Sequence, residues 1–271
     1  MSFDVKVREY DDADIPALCK LWESVFGDKP ELIQEFFRLL PDMGFCAVAE
    51  LDGKIAGMAS VLTALELVTP CADAARCGYV YAVATAPSFR GRGIGGTLTE
   101  KVCELAKAAG ASVLCTLPAE DSLYPWYEKI MGVRCALYRQ SFETSPAESL
   151  PVRRLKASEY LKLREELLAD KSHLRAAAPV VEFAEQFYSV YGGGLFLCGE
   201  SLCAAYGDAK CLYIKELISP DGRNEPAAAA LGAFLGADRI VYSLPSESGD
   251  KYISAPPGAV PSDCVWNLSF D

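Results

Sequence analysis

Apolar and polar residues alternate along "FDVKVREY" at the start of the chain, which predicts an opening strand. In "DDADIPALCKLWESVFG" the spacing changes, and Ile15, Leu18, Leu21, Trp22 and Val25 fall on one helical face. Gly27 is placed to stop that helix, and Pro30 opens a second in "PELIQEFFRLL". "GFCAVAELDGKIAGMASVL" reads as a hairpin turning at Asp52-Gly53. A strand in "CGYVYAVATAP" ends at Pro87, and Ile94, Leu98, Val102, Leu105 and Ala109 then form a helical stripe closed by Gly110. "ASVLCTL" predicts a buried strand, "DSLYPWYEKIM" a short helix, and "VRCALYRQSFE" a returning strand.

"TSPAESLPV" (144–152), rich in Pro and Ser, reads as a linker. Beyond it come helices in "ASEYLKLREELL" and "VVEFAEQFYSVYG", a strand-turn-strand in "GLFLCGESLCAAYGD", a strand in "KCLYIKELISP", a helix in "EPAAAALGAFLG" and a strand in "DRIVYSLP". This is the element order of the first half again. "VYAVATAPSFRGRG" (80–93) lies over "LYIKELISPDGRNE" (212–225) without a gap, and "GASVLCTLP" over "GADRIVYSLP" with one extra residue. An internal duplication is expected, with domains at 1–145 and 146–271.

Composition narrows the function. The 271 residues carry a formal net charge of −11, which argues against a partner held through a nucleic-acid backbone. The 11 cysteines form no C-x-x-C pair, and several lie in apolar strands, so they read as reduced core thiols. His173 is the single histidine, which gives zinc no support. The charged N-terminus lacks an apolar signal region and no apolar run is long enough to span a bilayer. A cytoplasmic monomer or homodimer is expected, with no metal, nucleic-acid or membrane partner.

The candidate chemistry lies in "APSFRGRGIGGTL" (86–98), where four glycines and two arginines stand at a helix entrance. Gly91, Gly93 and Gly96 fit a dinucleotide fingerprint, but the motif follows two helices and a hairpin, and no acidic residue ends the next strand. No Gly-Lys-Ser/Thr follows, which excludes a P-loop. The first amides of a helix are unpaired and carry partial positive charge, so they can cradle an anion. Gly93, Gly95 and Gly96 are expected to clear side chains from a diphosphate, Arg90 and Arg92 to add charge at its rim, and Gly91 to help the chain turn.

Arg90-x-x-Gly93-x-Gly95 directly after an apolar strand resembles the acyl-CoA-binding motif of the GNAT N-acetyltransferase superfamily, and the surrounding elements over about residues 3–143 follow that family's order. The resemblance implies an α/β fold of the mixed α+β type, with two GNAT-like domains, each a mostly antiparallel mixed sheet flanked by helices. It implies acetyl-CoA as co-substrate, contacted by Val83, Ala84 and Thr85 on a splayed strand and by Arg90, Gly91, Arg92, Gly93, Ile94, Gly95, Gly96 and Thr97 in the loop. It implies acetyl transfer to a primary amine of a small molecule or peptide, with Tyr127 in "PWYEKIMGV" as general acid. Met131 is one residue more than the family's usual spacing, so Tyr124 is the second candidate. Glu66, Glu120, Asp121 and the carboxylate of Asp271 are candidate bases, with none singled out. In the second half "SPDGRNEPAAAA" replaces the glycine loop; Glu225 would repel a diphosphate and Pro226 lacks an amide, so one CoA site per chain is expected. Two alternatives remain, a CoA-binding regulatory protein without turnover and an aminoacyl transferase of the FemX-like kind.

Overall fold

The computed structural model describes residues 5–266. They form two units, one of residues up to 67 with 74–136 and 253–260, the other of 68–73 with 137–252 and the residues from 261 on.

In the first unit β1 (Lys6–Glu9) leads into α1 (Ile15–Phe26) and α2 (Pro30–Met43). Arg8 holds the buried Asp14 through two hydrogen bonds of 2.6 and 2.9 Å. That pairing pulls the Asp14 carboxyl below its ordinary pKa. The helix stop occurs as expected: Gly27 caps α1 at φ +74°. Leu18, Leu21 and Trp22 are buried from α1, and Phe36 and Phe37 from α2. β2 (Gly44–Leu51) and β3 (Lys54–Thr69) form the expected hairpin. Its two turn residues, Asp52 at φ +51° and Gly53 at φ +71°, both take the left-handed conformation that a two-residue hairpin loop requires. β4 (Ala72–Thr85), α3 (Ile94–Ala108), β5 (Val113–Thr116), α4 (Tyr124–Met131) and β6 (Arg134–Cys135) follow. The sheet runs β1-β2-β3-β4-β5, then a short strand at Ser254–Ala255, then β6. β4 and β5 are parallel, and β1-β2 and β2-β3 antiparallel. Ile94, Leu98, Val102 and Ala106 of α3 are buried against it, while Leu105 and Ala109 of the expected stripe are half-buried.

The expected strand "VRCALYRQSFE" is two strands. β6 belongs to the first sheet and β7 (Tyr138–Thr144) to the second. β7 pairs with a distant strand over seven residues, a non-local preference that local pattern cannot report. Here the chain passes from the first unit to the second between residues 136 and 137. The Pro- and Ser-rich segment connects β7 to β8 (Val152–Leu155), both in the second sheet, and does not join the units.

The second unit continues with α5 (Ala157–Leu167), β9 (His173–Ala176), α6 (Ala178–Val190), β10 (Gly194–Cys198), β11 (Ser201–Gly207), β12 (Leu212–Ile218), α7 (Asn224–Leu235), β13 (Ile240–Ser246) and β14 (Asp250–Lys251). Its sheet runs β14-β7-β13-β12-β11-β10-β8. β12 and β13 are parallel, and β10-β11 and β11-β12 antiparallel. Its core sets the Ala-rich face of α7 against Phe196, Ile214 and Ile240. Arg164 and Glu216, both essentially inaccessible, pair at 3.1 Å, and Tyr160 donates to Glu216 at 2.7 Å.

Burial pushes the thiols of Cys46 and Cys77 up to about 12 and that of Cys103 to about 11. Cys71 is exposed. Alkylation of the native protein near pH 8, followed by mass spectrometry, is therefore expected to modify Cys71 first, with Cys46, Cys77 and Cys103 modified only on unfolding.

Candidate active site

The site is built where β4 parts from β5. Their parallel ladder runs from Cys77–Val113 to Val80–Thr116 and ends there, while β4 continues to Thr85. Beyond Val80 the strand stays with β3, and Ala86 N–H donates to Ala56 O at 2.9 Å. Ala82 sits just past the fork at φ +53°, a conformation that costs a residue with a Cβ about 1–2 kcal/mol. Gly57 allows the close approach on the β3 side: a Cβ there would lie 2.9 Å from Ala84 O and 2.9 Å from a Leu98 methyl. Among the described residues, the backbone of Val83, Ala84 and Thr85 thus has no strand partner on the β5 side, an edge to which an extended amide chain can bond.

After Thr85 a single turn at Pro87–Phe89 leads to the glycines. Gly91 at φ +76° and Gly93 at φ +81° are both left-handed with open space around them. Gly93 is the N-cap of α3 and offers no side-chain cap. The first helical bond runs from Thr97 N–H to Gly93 O at 3.2 Å, so the amides of Ile94, Gly95 and Gly96 precede the ladder. Arg90, Gly91, Arg92, Gly93 and Thr97 are exposed, whereas the Ile94 side chain is buried in the core. Arg90 Nε folds back to Thr85 O at 3.2 Å, and the Arg92 guanidinium lies 5.5 Å from the Phe89 ring centre.

The expectation that Gly95 and Gly96 clear space for a ligand is corrected. A Cβ on Gly95 would face Thr85 Oγ1 and the Trp126 ring at 3.6 Å, and one on Gly96 would face Ile130 at 3.4 Å. Both directions point into protein, because this side of α3 packs on α4. Gly91 and Gly93 carry the loop's conformational demand, and of Gly93, Gly95 and Gly96 only Gly93 faces open space.

Tyr127 is 7% exposed and packs edge-on against Trp126 with ring centres 4.7 Å apart. Its hydroxyl bonds to Thr116, whose own hydroxyl donates to Val80 O at 3.1 Å. The Thr116 contact acts to lower the Tyr127 pKa, against the larger effect of burial. Burial raises the Tyr127 pKa to about 12, so the phenol keeps its proton throughout the neutral range. Sequence reasoning does not single out Thr116; its signal is a hydroxyl at the last position of an otherwise apolar strand. Ala82 gives no signal, since alanine carries no preference for positive φ.

Tyr124 is half-buried at the first position of α4. Glu120 and Asp121 are exposed, and Ser122 Oγ donates to Glu120 at 2.8 Å. Glu66 is half-buried on β3, where its charge helps to raise the Cys77 thiol. Asp271 lies outside the described residues. Among the described residues no cluster of three or more His, Cys, Asp or Glu is spaced to hold a metal ion, and no helix is long and apolar enough to cross a membrane.

Thr116→Val is expected to orphan the buried Val80 carbonyl and the Tyr127 hydroxyl, lowering stability by about 1–3 kcal/mol in urea unfolding.

Comparison with known proteins bears on this geometry. Residues 6–130 match the family model of the acetyltransferase (GNAT) domain. A GCN5-related N-acetyltransferase from Kribbella flavida is similar in fold at TM-score 0.67, with 15% identity over 93% of this chain and 71% of that one. Another from Anabaena variabilis ATCC 29413 gives TM-score 0.66 and 14% identity over 93% and 72%. A third, from Sphaerobacter thermophilus, gives 0.54 and 17% over 95% and 98%. Comparison with curated protein sequences finds no match. The fork in β4, the uncapped start of α3 and the family match agree: residues 6–130 match the acetyltransferase (GNAT) domain, and the fold is similar to that of GCN5-related N-acetyltransferases.

Proposed function

We propose that the first unit transfers an acetyl group from acetyl-CoA to a primary amine by direct attack. The observation that carries this reading is the conjunction of a free β4 edge with an uncapped helix start at the same end of the strand. The amides of Ile94, Gly95 and Gly96 would hold the diphosphate, and the backbone of Val83 to Thr85 would bond the amide arm. Arg90 and Arg92 would sit at the rim. Acetyl-CoA, when bound, supplies the activated acyl group and a thiol leaving group.

Tyr127 is the group proposed to serve the leaving sulfur. Its pKa, about 12, stands well above the ordinary thiol value of about 8.5, so the phenol's contribution is a hydrogen bond to developing charge more than full surrender of its proton. Thr116 orients that phenol. The acceptor is proposed to enter as its free base. The second unit is proposed to be a degenerate GNAT-like copy that does not bind CoA through its own loop.

The tie between Tyr127 and Thr116 also favours a second reading, a CoA-binding protein without turnover. A thiol-release assay with a panel of amines separates the two. If CoA raises the melting temperature but no amine yields free thiol, the second reading holds.

Gly93→Asp is expected to abolish CoA binding, measured by calorimetry, with the circular dichroism spectrum unchanged; retained affinity removes the loop assignment. Tyr127→Phe is expected to lower kcat about 10²-fold with little change in the KM for acetyl-CoA. The wild-type rate should rise with pH as the amine deprotonates and show no descending limb below about pH 10, because the raised pKa keeps Tyr127 protonated there. A limb falling near neutrality assigns the acid to another group.

A further inference from the structure

The second unit has a fork of its own. The parallel ladder of β12 and β13 covers Leu212–Ile240, Tyr213–Val241 and Ile214–Tyr242 and then stops, while β12 continues to Ile218 and β13 to Ser246. The parted stretch of β12 is held from elsewhere. It remains paired with β11 through Glu216, Leu217 and Ile218, and the buried Glu216 is locked to Arg164 and Tyr160 of α5. The opening is therefore preformed. It contains a cavity of about 250 Å³ lined by Leu217, Ile218 and Ser219 on one side and Leu244 and Pro245 on the other. Lys171 stands at its rim, exposed and with no ion-pair partner among the described residues.

The α7 end of this cleft cannot hold a diphosphate. Of its first three residues, Asn224 already donates its N–H to Gly222 O at 2.9 Å, and Pro226 has none. Glu225 adds negative charge, and Arg223 is paired with Asp221. At the start of α3, by contrast, three consecutive amides precede the ladder. What survives around the second fork is an unpaired strand edge, apolar walls and one cation.

We propose that this cleft binds a short extended amide chain bearing a single carboxylate. The amides would add to the free edge of β12 as a strand does, an apolar group would enter between Leu217 and Leu244, and the carboxylate would meet Lys171. The volume lies just under the usual range for small-molecule pockets, about 300–1,000 Å³, which suits a dipeptide or a fragment of similar length. This site is separate from the one read in the first unit and does not depend on acetyl transfer.

The test is amide NMR on the isotope-labelled full chain, titrated with N-acetyl-leucyl-alanine, its carboxamide, pantetheine and CoA. Saturable shifts at residues 215–219 and 244 are expected with the peptide, and Leu244→Trp should remove them. Lys171→Glu is expected to weaken the peptide acid about fivefold and leave the carboxamide unchanged. Binding of the peptide acid ahead of its carboxamide and of pantetheine, neither of which has a carboxylate, upholds the site, whereas equal binding of pantetheine overturns the carboxylate contact with Lys171. The proposal is overturned if no probe saturates below about 10 mM, if the shifts persist in Leu244→Trp, or if CoA binds the cleft more tightly than every other probe.

Discussion

A parallel strand pair that stops pairing partway along exposes backbone donors and acceptors which must find partners elsewhere. In the first unit that constraint falls on β4 after Val80, and the neighbouring residues answer to it. Thr116 caps the last carbonyl of the ladder and meets the Tyr127 hydroxyl. Ala82 takes a costly positive φ as the strand leaves its partner. Gly57, lacking a Cβ, lets the end of β4 lie close on β3 and beside the first turn of α3. The helix then starts where the free edge ends, so the unpaired backbone of the edge and the unpaired amides of the helix start are set in line by one interruption of one ladder.

The two sheets share a strand order and strand sense through their central members, yet their helix entrances differ chemically. Gly91 and Gly93 adopt left-handed conformations before α3 and leave its amides free. Before α7 the amides are consumed, absent or screened by Glu225. A fork is a property of the sheet, whereas a row of free helix-start amides is a property of three or four residues after it. The second unit keeps the former without the latter, and it fixes its parted strand with a buried ion pair. Removing one member of such a pair costs about 3–5 kcal/mol, because it strands a charge out of water.

Much of this was legible along the chain. Asp52-Gly53 and Gly27 terminate elements through their own conformational freedom, so the turn and the cap could be read locally. The helical stripe of α3 was visible because its burial repeats with the helix period. What Gly95 and Gly96 face was not, because Trp126 and Ile130 are brought beside them by α4 from about thirty residues away. Tyr127 could be named as a phenol in the right helix, but its raised pKa comes from burial, and its partner Thr116 is joined to it by no spacing rule.

Sequence by itself determined the elements, the glycine-rich entrance to α3, and the contrast with Glu225 and Pro226 in the second half, since these rest on backbone freedom and charge within a few residues. Tertiary structure decided where the ladders stop and which sheet each late strand joins. Ser254–Ala255 completes the first sheet and Tyr138–Thr144 the second, although each lies next in sequence to elements of the other. Strand pairing is settled by hydrogen bonds and burial between residues far apart in the chain, and those energies leave almost no trace in the local pattern of either strand.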